Sequence, residues 1–350
     1  SAASDVYKRQ VVENKKLMQV VRPFLHQHLV DLVNRFYEAP QSEISLTIDG
    51  QVLWHGSKVG ELEKGQKILT PKVKLTKSDE LDKSNLEKIQ RKLDIFIANK
   101  IETLMPNLFK LANTNEFSGA AAGLAHIFVN NLGVVMKSQV IDQFKSIDNE
   151  SKVSLRNLGI KFGYKTIYDA TLLKPEASKL RIALFNAFYV TFESKTFQPP
   201  PGLVTVEFDK HISKKQYLVA GFFVAGNRAV RIDMLERLYF LIKECTNDEW
   251  IVVQPAMLSI TGLGLENFAE LIKNLRYEIK YEKVEKGDEV ITLEKDSDYY
   301  RVMFKKQLLN KKAKQIEISD AIKKKRHQYK KKKPNNIIAK NDSPFSSILF

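Results

Sequence analysis

From Glu43 to Leu75 the apolar residues change from a helical to a strand period, and this switch constrains the fold most tightly. Ile44, Leu46 and Ile48 alternate, Asp49-Gly50 supplies a two-residue turn, and Val52 and Trp54 resume the alternation. His55-Gly56 and Gly60 suggest a further turn, followed by a strand through Val59 and Leu62 and a last one within 68–75. Residues i and i+2 share one face of a strand, whereas a helical face needs i, i+3 and i+4. Residues 40–76 are therefore expected to form a small antiparallel β module.

The flanking segments carry the helical period. In 11–39, Leu17, Val20, Val21, Phe24, Leu25, Leu29, Leu32, Val33 and Phe36 recur at three- and four-residue spacing, and Pro23 either kinks this helix or splits it in two. Residues 77–150 read as a helical subdomain. Ser78-Asp79-Glu80 supply a cap, Leu86, Ile89, Leu93, Phe96 and Ile101 an apolar stripe, and Pro106 an interruption. The run Gly119-Ala120-Ala121-Ala122-Gly123 permits close helix contact, and His126, beside Leu124, Ile127 and Phe128, reads as a core histidine. Residues 151–298 read as an α+β subdomain. It holds short strands and a helix in 158–192, a strand or turn element in 217–232, a helix capped by Asp233, and a Gly262-hinged helix pair before a strand near Tyr281. The expected class is α+β, mainly α, in several small subdomains, ending in a basic, largely disordered tail over 299–350.

Charge explains the last boundary. Of the net +15, most sits at one end: between Arg301 and Phe350 there are fifteen Lys or Arg against three acids. Such an end attracts polyanions over about 8 to 10 Å at physiological salt. The single cysteine, Cys245, forms no internal disulfide, which fits a reducing cytoplasm. No apolar run reaches the roughly 18 to 20 residues of a membrane helix. Residues 1–10, Ser1 to Gln10, back-translate without a mismatch to a sequencing-library adapter read in frame and are set aside as a non-native scar. The natural chain is then expected to extend upstream of Val11.

Catalytic motifs are sparse. Gly159-Ile160-Lys161-Phe162-Gly163-Tyr164-Lys165-Thr166 matches a phosphate-binding P-loop at Gly159, Lys165 and Thr166, but Tyr164 stands where the second glycine is required. The segment therefore reads as a turn between short elements. Asp248-Glu249-Trp250 lacks the last residue of a DExH box and reads as a turn. No zinc-spaced cysteines occur, and His26 and His28 do not share a helix face. No catalytic, cofactor-binding or metal-ligating residue is assigned. The candidate nucleic-acid-binding residues are Lys305, Lys306, Lys311, Lys312, Lys314, Lys323, Lys324, Lys325, Arg326, Tyr329, Lys330, Lys331, Lys332 and Lys333. Lysines neutralise phosphates, and Tyr329 is suited to stack on a base.

Three segments carry a family resemblance. Leu158-Gly159-Ile160-Lys161-Phe162-Gly163, then Leu172-Leu173-Lys174-Pro175 with Leu180-Arg181-Ile182-Ala183-Leu184, and Val230-Arg231-Ile232-Asp233-Met234-Leu235-Glu236-Arg237-Leu238 resemble blocks in the long C-terminal region of a bacterial helicase family. The closing Asp342-Ser343-Pro344-Phe345 and the upstream Leu53-Trp54-His55-Gly56 fit the same pattern. That family is similar to the mitochondrial-degradosome type of RNA helicase, a superfamily 2 DExH ATPase whose two RecA-like motor domains precede the accessory region. The resemblance implies an ATP-dependent helicase as parent, with ATP and Mg bound only by motor domains that this chain lacks. It also implies RNA or DNA, single-stranded by preference, as ligand, and the upstream motor and RNA-processing proteins as partners, without a membrane. An adaptor or scaffold of an RNA-processing assembly is the alternative, and an enzyme with a dispersed site stays open.

Overall fold

A computed structural model describes residues 21–24, 26–76, 81–189, 195–245, 250–285, 291–295 and 298–306. Helix α1 covers 21–24 and 26–38, with Pro23 inside the helical residues and Val33 and Phe36 buried. The expected β module follows as one antiparallel sheet in the order β1 (Ile44–Leu46), β2 (Gln51–Trp54), β3 (Ser57–Lys67), β4 (Thr70–Leu75). Its two-residue hairpin lies at His55-Gly56, where both residues have positive φ, as the twist of a tight hairpin requires. Asp49-Gly50 instead closes a longer turn, in which Gly50 N–H donates to the Thr47 carbonyl at 3.0 Å.

Helix α2 (Lys83–Leu104) packs along β4. Its cap is Asp82, which accepts the Asn85 N–H at 2.8 Å; Ser78, Asp79 and Glu80 lie outside the described residues. Pro106 opens α3 (Pro106–Asn113) at the first helical position, where its missing N–H leaves no bond unmade. Helix α4 (Gly119–Asn130) buries Ala121, Leu124, Ala125 and Phe128. That stripe corrects the reading of His126, which is exposed on the opposite side and bonds Asn130 at 2.9 Å.

Strands β5 (Val134–Met136), β6 (Ile160–Phe162) and β7 (Thr166–Asp169) form a second sheet in the order β5-β7-β6. Between β5 and β6 lie α5 (Ile141–Ser146) and α6 (Asn149–Asn157). Helix α7 (Pro175–Tyr189) is buried nearly all round from Ala177 to Asn186, as expected of a helix at the centre of a core. A third sheet runs β8 (Thr205–Glu207), β10 (Arg228–Arg231), β9 (Phe222–Ala225). Tyr217, expected in a strand or turn, lies in the short α8 (Lys214–Val219). One continuous apolar core extends from Phe36 to Ala229, so the β module, α2 to α4 and α7 share it.

A second core holds α9 (Ile232–Glu244), β11 (Ile251–Val252), α10 (Pro255–Thr261), α11 (Leu265–Asn274), β12 (Tyr277–Val284), β13 (Thr292–Lys295) and β14 (Asp298–Lys306). Gly262 ends α10 in the left-handed region, giving the expected hinge. Asp233 lies within the first turn of α9 and pairs with Arg231, its preceding cap residue. Strand β14 is central, pairing with β11 and β13 and lying beside β12. Val302 and Phe304 are buried in this core, which corrects the tail boundary: 299–306 belongs to the fold. More described residues lie in helices than in strands, and the sheets are small and antiparallel, an α+β architecture that is mainly α.

Candidate nucleic-acid interface

The P-loop-like string is the β6–β7 hairpin, and its turn holds an anion that belongs to the protein. The backbone N–H groups of Tyr164, Lys165 and Thr166 all donate to the Glu236 carboxylate, the last two at 3.0 and 2.7 Å. The Thr166 hydroxyl adds a fourth bond at 2.7 Å. Successive N–H groups in such a turn make an anion-binding concavity. Gly163 lets the carboxylate in, since a Cβ there would stand 2.4 Å from the carboxyl carbon. The turn expected from the sequence is present, and the donors that a nucleotide phosphate would use are already engaged. Glu236 itself gave no sequence signal beyond an acid within the apolar stripe of α9.

The residues that carry the family resemblance are largely structural here. Gly159 has φ +85, and a side chain there would strike Asn107. Asn107 donates to Asp169 at 2.8 Å, and Asp169 also accepts the Thr171 N–H and hydroxyl. Arg181 is fully buried and donates to the carbonyls of Leu132 and Leu172 at 2.7 and 3.2 Å. Burial pushes its guanidinium below the ordinary arginine range, while the charge of Asp169 acts in the opposite sense.

Of the fourteen basic-end residues, Lys305 and Lys306 are described, at the end of β14; the other twelve, from Lys311 to Lys333, lie outside the described residues. So do Asp248 and Glu249. Trp250, next to them and expected from the sequence only as part of a turn, anchors a cationic cluster. Lys305 Nζ lies 4.4 Å and Lys280 Nζ 5.9 Å from its ring centroid. Strand alternation produces this face: Val302 and Phe304 point into the core, so Arg301, Met303 and Lys305 point away from it. Acids on β12 offset part of the charge, with Glu278 3.5 Å from Lys305 and Glu282 paired to Arg301.

Cys245 is half-buried at the end of α9, and Gln254 lies 3.5 Å from its sulfur. Among the described residues, no group of three His, Cys, Asp or Glu side chains is placed to hold a metal ion. No helix among them is long and apolar enough to cross a membrane. No family model matches the chain, and no curated protein or solved structure matches it.

Proposed function

We propose that this chain is a cytoplasmic, non-catalytic accessory region that binds single-stranded RNA or DNA beside the motor of a DExH-type helicase. The observation that carries the nucleic-acid half is the Lys280–Trp250–Lys305 cluster, in which Lys305 lies on β14, the strand that precedes the lysine-rich end in sequence. Aromatic rings and cations along one path suit a strand of stacked bases and phosphates. The helicase half is supported by the sequence blocks around Leu158, Leu180 and Val230. In this reading ATP and Mg belong to the motor, since the donors of the P-loop-like turn hold Glu236. RNA-processing proteins are the further partners it implies.

Two observations test the halves separately. The reading frame upstream of Val11 is expected to encode a P-loop and a DExH box; an upstream frame with neither removes the helicase half. The full chain is expected to bind a labelled single-stranded oligonucleotide, more weakly after Lys280→Gln with Lys305→Gln. Absence of binding at low salt removes the nucleic-acid half.

A further inference from the structure

The described residues carry a second basic surface, most of whose cations lie over aromatic rings. Phe144 of α5 and Phe162 of β6 meet at 5.4 Å between centroids. Lys137 and Lys152 lie over Phe144 at 4.5 and 5.2 Å, and Arg156 lies over Phe162 at 5.3 Å. In the adjoining hairpin turn, Lys165 lies 5.7 Å over Tyr239, against which the half-exposed Tyr164 stacks at 4.8 Å. A shallow depression between Arg156 and Phe162 is also lined by Lys161.

None of Lys137, Lys152, Arg156, Lys161 and Lys165 forms an ion pair with an acid among the described residues. On the Trp250 face, by contrast, Arg301 and Lys305 each pair with an acid. A carboxylate partner cancels a cation's charge and occupies its N–H donors. An aromatic face orients the cation and does neither, although Lys137 also donates to the Gly163 carbonyl at 3.2 Å. Of the buried acids, Glu236 is spent on the hairpin's own N–H groups and Asp169 on Asn107 and Thr171, and Asp148 caps α6 through Ser151.

We propose that the surface formed by α5, α6 and the β6–β7 hairpin is a second binding site for single-stranded nucleic acid, with Lys152, Arg156 and Lys161 on its phosphates and Tyr164 toward its bases. The proposal rests on the nucleic-acid reading above and adds a site within the globular part. The exposed tyrosine beside the cations favours a strand of bases over an acidic polypeptide, which offers nothing to stack.

The test uses the full chain and a labelled single-stranded RNA of mixed sequence, titrated at several salt concentrations. Four proteins are compared: the unaltered chain, Lys152→Gln with Arg156→Gln and Lys161→Gln, the four changes Lys330→Gln to Lys333→Gln, and all seven together. The surface variant is expected to lower the magnitude of the log–log salt slope by about 2 to 2.7, at about 0.7 to 0.9 per lost phosphate contact, in both backgrounds. Unchanged affinity and slope in both backgrounds overturn the surface while leaving binding by the lysine-rich end intact. Loss from the surface changes alone supports the surface and counts against the lysine-rich end. No binding by any of the four overturns both. Polyglutamate that competes as well as RNA at equal charge overturns the choice of ligand. Because substitution can perturb folding, the unaltered chain is also photocrosslinked to a bromouridine RNA. Crosslinks in the peptide holding Phe162 and Tyr164 are expected; crosslinks confined to 299–350 overturn the proposal.

Discussion

Oε1 of Glu236 accepts both hydrogen-bonding protons of Thr166, from its backbone N–H and from its hydroxyl, each at 2.7 Å. Helix α9 is thereby tied to the β6–β7 hairpin, and the second core to the first, since Leu235 and Leu238 belong to one and Ile160 and Ile167 to the other.

Removing the carboxylate should be costly. Glu236→Ala strands the buried Thr166 N–H and hydroxyl and frees the N–H groups of Tyr164 and Lys165. At about 1 to 3 kcal/mol for each buried group left without a partner, a loss of about 3 kcal/mol or more is expected in urea unfolding. Glu236→Gln keeps one acceptor oxygen and should cost less. An alanine variant as stable as the parent would show that water or a neighbour serves the turn equally well.

The same contact predicts no ATP turnover by this chain, with or without added RNA. Lys165→Ala should leave the background rate unchanged. Turnover above background that Lys165→Ala abolishes would mean that Glu236 yields its place to a phosphate.

Two truncations separate the fold from the basic end. Stopping after Asp298 deletes most of β14 and with it the buried Val302 and Phe304, each worth about 1.5 to 3 kcal/mol of burial. The melting temperature should fall well below that of a chain stopped after Lys306. Equal melting temperatures would show that β14 adds nothing to the second core.

What the sequence revealed, and what it hid, follows from range. The β module was legible because Ile44, Leu46, Val52 and Trp54 declare a period of two over consecutive residues, and the α10–α11 hinge because Gly262 is suited to a left-handed cap. His126 misled because it neighbours Leu124 and Phe128 in sequence, yet two residues along a helix is the far side. Strand β14 was masked by its lysines: Val302 and Phe304 alternate correctly, but charge dominates the segment. The Glu236 turn and the rings beneath Lys152 and Arg156 are contacts between separate elements, which no local pattern encodes.

Alkaline pH should loosen the junction between the cores. Burial, then the charge of Glu236, pushes the Tyr168 hydroxyl up to about 12, and burial pushes Tyr277 to about 12 and Tyr239 upward as well. With folded values above the unfolded ones, the stabilisation is complete below about pH 10 and is lost as pH rises through about 12. Arg181 acts in the opposite sense, one group against three. Unfolding free energy should therefore decline across that window, less steeply in Tyr168→Phe and Tyr277→Phe; identical profiles would contradict the assignment.

The salt dependence of single-strand binding by the full chain tests the central claim most directly. If about six cations from the basic end and the globular surfaces meet phosphates, the log of the binding constant should fall with the log of salt concentration at a slope near −4 to −5, with little dependence on base sequence. A slope near zero, or affinity confined to one base sequence, would contradict a phosphate-reading accessory region.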